Sequence, residues 1–488
     1  MLNRAEMAAA RRRIGAAAVR PGPDGREPGT DGLPQIQHIV VLMMENHSYD
    51  NYLGMLTGHG DGFTLGSDGT PVGANTMLSG AEVSLWTVRQ TTQQQSVPTQ
   101  SWHASHIQWD EGRCDGFVRS IEQTLPGLDA KAAMRYWTEP ELPFYYGLAR
   151  TFPLATRWFS PCLGPTFPNR RFLTAGTANG LIDDLPFGLI DYPANGTIFD
   201  HLSAHGISWA NYHQLPAVKV SLRRLAHLSG LRYLRLLAGA VAGIFPQFLA
   251  TLQTKLEVTA DLFPLGFVRS VNHVRPMTEF WTAARDGTLP SVSIVDPDFT
   301  VSSEENPQDI SAGEALAARV ISAVMTGKGW PGTLLIWLYD EHGGYYDHVP
   351  PPPAPAPDDV PGQSPYQRYP VLRLFRATAL GRRLTAADAG PSTYTQLGFR
   401  VPAVIVSPFA RPGYVTDVVY DHTAILRLIE RKWSLPSLTA RDAWAADLLE
   451  TLDLDAPPAF AVPPVLPEPL RGATLHSAGP RAAGPACG

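Results

Sequence analysis

Three cysteines in 488 residues, Cys114, Cys162 and Cys487, are too few for a disulfide framework, and their spacing is not that of a metal site. A single bridge and a reducing compartment are both compatible with them. Charge is also scarce: 17% of residues are charged and the net charge is −6, so no basic surface invites nucleic acid. No stretch of about 18 uninterrupted apolar residues occurs, which argues against a transmembrane span. Neither G-x-G-x-x-G nor G-x-x-x-x-G-K-[ST] is present, so nucleotide-binding folds lose support. A G-x-S-x-G elbow is missing too, which counts against a conventional serine hydrolase. Proline (45) and glycine (43) are plentiful instead, so the chain has many loops and few long helices.

A hydrophobic fraction of 44% permits a sizeable core. Residues 1–32, Ala/Arg-rich and then Pro/Gly-rich, read as a disordered segment. Arg11-Arg12-Arg13-Ile14 resembles a twin-arginine leader, but the apolar part is only a few residues long before Arg20-Pro21. A cytoplasmic location is therefore favoured, with secretion or a periplasmic location as the alternative. Residues 33–455 are read as one α/β domain and 456–488 as a Pro/Ala-rich tail. Within the domain, 218–267 has the look of a helical insertion, apolar with arginines in its first half. A helical cover packed on the domain is the plainer reading, and peripheral contact with a membrane surface the other.

Two stretches carry the chemistry. Thr333-Leu334-Leu335-Ile336-Trp337-Leu338 reads as a buried strand, followed by Tyr339-Asp340-Glu341-His342-Gly343-Gly344-Tyr345-Tyr346-Asp347-His348. The second strand, Gln37 to Met44, runs into Glu45-Asn46-His47-Ser48-Tyr49-Asp50. Ligands of open α/β sheets bind outside the carboxyl ends of the strands, and hard cations prefer carboxylate and amide oxygens. Two such ends in one sheet are placed to converge on one ion. The competing reading makes Asp340, Asn46 and Ser48 helix caps.

Thr166, in Gly164-Pro165-Thr166-Phe167-Pro168-Asn169-Arg170, falls at the start of a predicted helix, where backbone N–H groups favour an anion. It is either a cap or, beside a metal, an alkoxide nucleophile. Trp102-His103-Ala104-Ser105-His106-Ile107-Gln108-Trp109 taken alone reads as a packed helix face. Leu289 to Val295 is a further strand with Asp296 and Asp298 after it, and Arg400 to Ser407 another; Asp421-His422-Thr423 opens a helix. Strands alternating with helices predict a mostly parallel, doubly wound sheet.

Assembled, the chain resembles the bacterial phosphoesterase family that contains non-specific phospholipases C and a related acid phosphatase. The resemblance runs over about residues 35–455. It rests on Glu45-Asn46-His47-Ser48-Tyr49-Asp50-Asn51-Tyr52-Leu53-Gly54, on the Thr166 loop, on Tyr339 to Pro350 and on Tyr420-Asp421-His422-Thr423. It implies an alkaline-phosphatase-like α/β/α sandwich with a helical insertion, and one divalent metal ion (Ca, Mg or Zn) on Glu45, Asn46, Thr166, Asp340 and Glu341. Thr166 would be the nucleophile of a covalent phosphothreonine intermediate and His106 a second catalytic residue. The implied substrate is a small-molecule or phospholipid phosphoester, a phospholipase C-type diester first and a phosphomonoester second. Where the family has histidines, this chain has Gln100 and Asn306, which are carried over as substrate-binding residues. That replacement leaves a weakly active or non-catalytic binder of a phosphorylated ligand as the other reading. An amide donates hydrogen bonds but delivers no proton near neutral pH. His213 is the remaining candidate for the missing imidazole.

Overall fold

In the computed structural model the described residues are 4–14, 22–87, 89–93, 98–184, 192–214, 259, 262–263, 269–270, 272–363 and 393–470. Among the described residues there are ten strands, and the central ones are built from the apolar runs seen in the sequence. Strand β1 (His38–Met44) and strand β8 (Thr333–Tyr339) are rich in β-branched and large apolar side chains and are buried almost throughout. They lie side by side in parallel, with Met44 opposite Tyr339. On the other side of β1 lies β7 (Val292–Val295), also parallel, with Leu42 opposite Val295. The eight-stranded sheet has the order β10-β4-β9-β8-β1-β7-β5-β6. Here β4 is Leu154–Ala155, β5 Trp209–His213, β6 Val274–Pro276, β9 Ala403–Val406 and β10 Val415–Thr416.

Pairing is parallel from β8 across to β6, and β9 runs antiparallel to both β8 and β4. A central strand whose residues are buried on both faces needs cover on both sides, which is the α/β/α arrangement expected from the alternating pattern. One continuous core links these strands to helices α5 (Pro143–Thr151), α8 (Met277–Asp286), α9 (Ile310–Thr326) and α10 (Thr423–Trp433). The Ala-rich α9 opens on Asp309, whose side chain accepts from Ser311 N. A short hairpin, β2 (Ala74–Thr76) with β3 (Glu82–Ser84), stands apart from the main sheet.

The expectation of a disordered first 32 residues is not met over residues 4–14. These form helix α1 (Arg4–Ile14), which packs on helix α7 (Ile198–Ala204). Ala10 and Ile14 sit four apart on one face and bury against Ala204. Arg11 donates to the Ala204 carbonyl, Arg13 pairs with Asp200 and Glu6 with His273. A scarcity of large apolar side chains concealed this helix, because its docking is largely through arginine. The insertion read at 218–267 lies outside the described residues except for Thr259, Leu262 and Phe263. Residues 456–470 of the tail carry no helix or strand. No helix among the described residues is long and apolar enough to cross a membrane.

Candidate active site

Three neighbouring parallel strands, β7, β1 and β8, each end in an acid: Asp296, Glu45 and Asp340. The convergence expected of the second and third therefore follows from adjacency in the sheet. All three carboxylates face one guanidinium. Arg170, in helix α6 (Thr166–Ala175), donates from Nε to Asp340 Oδ2 (2.9 Å) and from one terminal nitrogen to Asp296 Oδ1 (3.0 Å). Its other terminal nitrogen lies 3.0 Å from Glu45 Oε1. All four side chains are essentially out of solvent. In the sequence Arg170 is only the last residue of the Thr166 motif, and nothing there names its partners.

One guanidinium does not neutralise the acids gathered here. Burial, and then the charge of Asp340, pushes the Glu341 carboxyl well above its usual range. Burial likewise raises Asp340 despite Arg170. Asp184 is lifted to about 7 by burial, with Asp340 and Glu305 adding to it, and Glu305, an exposed residue whose carboxyl is partly enclosed, is raised by that enclosure and by the Asp340 charge. Carboxylates held this high are short of positive charge. Asp184 also accepts the Phe167 N–H (2.8 Å), taking one of the first free amides of α6. Sequence reasoning misses both Asp184 and Glu305; the only signal is that Glu305 precedes Asn306.

Asn46 supplies a sharper test of fit to a cation. Its backbone is left-handed (φ +79°), a conformation asparagine tolerates better than most residues. Its terminal amide comes within 2.7 Å of Glu341 Oε1 and 2.9 Å of Asp340 Oδ1. Its surroundings favour nitrogen turned inward, donating to both carboxyls; with oxygen inward, three oxygens meet at one point and need a cation or a carboxyl proton between them. Thr166 Oγ1 lies 3.5 Å from this same amide. Thus Asn46, Asp340, Glu341 and Thr166 are brought together, with Glu45 beside them on Arg170. Ser48, the rival cap, is the residue that caps: it accepts Asn51 N at the start of helix α2 (Tyr49–Leu53). The approach of the two loops requires glycine. At Gly343 (φ +65°) a Cβ would stand 2.0 Å from the Asn46 carbonyl oxygen, and at Gly344 (φ +79°) 2.5 Å from Thr99 N.

The histidines divide into anchors and one candidate. His422 receives the Trp158 indole N–H on Nδ1 (3.1 Å) and donates from Nε2 to the Asp340 carbonyl (2.7 Å). Burial holds it down to about 4, so it is a neutral prop for the ligand loop. His342, pushed down to about 3 by burial, bonds Gln108 (2.7 Å), and Gln108 donates to the Thr99 carbonyl (2.7 Å). Gln108 also donates to Ser120 Oγ (3.0 Å) in helix α4 (Phe117–Thr124). That chain ties helix α3 (Trp102–Trp109) to the Asp340 loop. His106 stands on α3 with Nδ1 against the Trp102 carbonyl (2.7 Å), which makes Nδ1 the donor and Nε2 a lone-pair acceptor. Burial lowers its pKa, which favours the neutral ring. Trp102, its ring tilted 39° to that of His106 with centroids 4.9 Å apart, packs at Gly164 of the Thr166 loop. Gln100 lies just ahead of α3, half-buried, its carbonyl accepting from Ser105 Oγ (3.1 Å). Asn306 donates to the Tyr345 hydroxyl (2.9 Å). His213 ends β5, buried, with its pKa lowered by burial against the charge of Asp296.

Among the described residues Asp50, Asp347 and His348 form a second, metal-type grouping, with one ligand atom each within 4.8 Å of the others. It is already filled. Arg400 donates to Asp50 Oδ1 (2.9 Å) and Asp347 Oδ1 (2.8 Å), while His348 N and Nδ1 lie 2.7 Å from Asp50 Oδ2. This is an ion-paired clasp between α2 and the Asp340 loop.

A family model described as the Phosphoesterase family matches residues 36–436. The chain belongs to that family. Membership makes it a phosphoric ester hydrolase, the enzyme class expected from its motifs. Phospholipase C B of Mycobacterium tuberculosis is 29% identical over 465 residues, spanning 89% of this chain and 81% of its own. Non-specific phospholipase C6 of Arabidopsis thaliana is 26% identical over 467 residues, 89% of this chain and 76% of the relative. Hemolytic phospholipase C of Pseudomonas aeruginosa is 27% identical over 439 residues, 83% of this chain but 54% of the relative. Among solved structures, an alkaline phosphatase superfamily protein from Vibrio parahaemolyticus aligns over 90% of this chain and 77% of its own, at TM-score 0.33 and 10% identity.

Proposed function

We propose that this phosphoesterase is metal-dependent and of phospholipase C type, with Thr166 as its nucleophile. The observation that carries the reading is the placement of the Thr166 hydroxyl. It lies at the first residue of α6, 3.5 Å from the Asn46 amide that itself faces Asp340 and Glu341. Asn46, Asp340, Glu341 and Thr166, with Glu45 alongside, would hold one divalent ion; their oxygen donors suit Ca²⁺ or Mg²⁺, and Zn²⁺ also accepts them. Such an ion supplies the positive charge that favours a deprotonated hydroxyl and polarises the phosphoryl group.

The chain's own residues do the rest. Arg170 fixes Glu45, Asp296 and Asp340, and His422 fixes the Asp340 backbone, so on binding these acids stay in place while the Asn46 amide turns its oxygen inward. Thr166 Oγ forms a bond to phosphorus as the bond to the leaving oxygen breaks, giving phosphothreonine and an alcohol. Water then cleaves the phosphothreonine and restores the hydroxyl. Neutral His106, with Nε2 as acceptor, takes up the proton that Thr166 releases and passes it to the departing oxygen, which leaves as the alcohol. Phospholipid diesters are the first substrate reading, because the relatives named above are phospholipases C. Phosphomonoesters are the second. Peripheral membrane contact through 218–267 is the companion proposal, read by liposome co-sedimentation with and without that segment; equal binding removes it.

Turnover of p-nitrophenyl phosphocholine and p-nitrophenyl phosphate by metal-loaded protein, beside Thr166→Ala, tests the mechanism. Removing a nucleophile costs at least about a thousandfold in turnover. A Thr166→Ala enzyme that retains most of its activity would overturn the assignment.

A further inference from the structure

Asn306 is the one side chain of the candidate site whose amide orientation is dictated from a distance. The Glu304 carbonyl can only accept, and Gln93 Nε2 donates to it at 2.6 Å. Gln93 Oε1 therefore points the other way, and the Tyr345 hydroxyl spends its hydrogen there at 2.7 Å. The Tyr345 oxygen is left to accept, and Asn306 Nδ2 donates to it at 2.9 Å. Each step fixes the next, because every group in the relay has an unambiguous donor and acceptor side. The start of the relay is itself immobile. Tyr52 (2.7 Å), Tyr145 (2.6 Å) and Tyr339 all give their hydroxyls to the Glu304 carboxyl, and His47 Nε2 stands 3.0 Å from the same carbonyl.

The consequence is at Asn306 Oδ1, a buried acceptor with no partner among the described residues. A buried acceptor left unpaired carries its full desolvation cost, so a donor arriving there is favoured. Its link to the site runs through Tyr345. Tyr345, which holds the amide, follows Gly343-Gly344, and Gly343 N donates to Glu341 Oε2 (2.7 Å).

We infer that Asn306 is a specificity-determining acceptor, selecting phosphoesters whose head group or leaving alcohol carries an N–H or O–H donor close to the phosphorus. The inference rests on the phosphoesterase reading of the Thr166 site. Phosphoryl oxygens are themselves acceptors and gain nothing from Asn306 Oδ1, so the donor must come from the organic part. An ethanolamine ammonium or a glycerol hydroxyl supplies one. Choline, whose quaternary nitrogen bears no hydrogen, does not.

The test compares kcat/KM for the p-nitrophenyl esters of phosphoethanolamine, phosphoglycerol and phosphocholine. The first arm reads an ammonium donor, the second a hydroxyl and the third neither. The wild-type protein should favour a donor-bearing ester by about tenfold over choline, the discrimination one hydrogen bond supports. Asn306→Leu should bring the ratio close to one. Tyr345→Phe should lower it as well, because the amide is then free to turn its nitrogen inward. Asn306→Asp, which keeps an acceptor, should retain the preference. A wild-type ratio near one or favouring choline, or a preference that survives Asn306→Leu, would overturn the inference. Calorimetric Kd values of Thr166→Ala protein for phosphoethanolamine and phosphocholine give the same ratio without turnover. Loss of turnover with a tenfold binding preference therefore counts against the nucleophile alone, and equal affinities count against Asn306.

Discussion

Replacing Arg170 by methionine is the most searching perturbation of the site's electrostatics. The guanidinium meets Asp340, Asp296 and Glu45 at 2.9, 3.0 and 3.0 Å, and all the side chains involved are at most 2% exposed. Methionine keeps most of the length and removes the charge, leaving three buried carboxylates without their shared counter-charge. Breaking a buried pair from one side costs about 3–5 kcal/mol, and a residue with three partners belongs at the upper end. Urea unfolding with an unchanged m-value reads this as a lower midpoint. The loss must also depend on pH. Without Arg170 the Asp340 carboxyl, already raised by burial, titrates higher still than in the unfolded chain, so protonation favours the folded variant. Stability is then retained at low pH and lost as pH rises through the raised pKa values, making the deficit smaller at about pH 5.5 than at about pH 7.5. A loss under about 1 kcal/mol, equal at the two pH values, would refute this account of the strand-end acids.

Other consequences are open to direct measurement. Glu304, fully buried, has its pKa raised to about 8 from 4.5 by desolvation, against the three tyrosine hydroxyls that favour its charge. Its contribution to stability is complete below about pH 4.5 and is lost as pH rises through about 8, so Glu304→Gln should flatten the pH dependence of the melting temperature in that window. An unaltered profile would mean that the carboxyl titrates normally. Gly343→Ala, which places a methyl 2.0 Å from the Asn46 carbonyl at φ +65°, should separate the two ligand loops. Turnover should fall at least about tenfold and stability by roughly 1–3 kcal/mol; wild-type behaviour in both would contradict the close approach. Chelation should abolish turnover and lower the melting temperature, and readdition of a divalent cation should restore both. Full activity after dialysis against EDTA would remove the metal from the mechanism.

What could be read in advance was local. β1 and β8 announced themselves as apolar runs ending in acids, and their adjacency turned two motifs into one site. Thr166 was placed at a helix start by Gly164-Pro165, as found. The pairings were not legible. Arg170 could not be matched to Asp296, Glu45 and Asp340, because charge partners far apart in sequence leave no periodicity to detect. Asp184 reached the Thr166 helix through one backbone amide, an interaction no motif encodes. Asn46 and Ser48 were equivalent as potential caps until φ +79° separated them. Helix α1 was missed because alanine and arginine form a helix readily but leave no broad apolar stripe by which to recognise one.

The Arg400–Asp50 ion pair joins residues 350 positions apart. During synthesis the clasp cannot close until Arg400 has left the ribosome, and His422, the prop beneath Asp340, emerges later still. The N-terminal motif therefore waits, folded or not, for its partners from the far end. A fragment ending before Arg400 holds every oxygen proposed for the cation, yet lacks both the clasp and the prop that set the Asp340 loop in place. On the proposed reading, loading of the cation is thereby tied to synthesis past His422, and a chain interrupted earlier would be left without a competent hydrolytic centre.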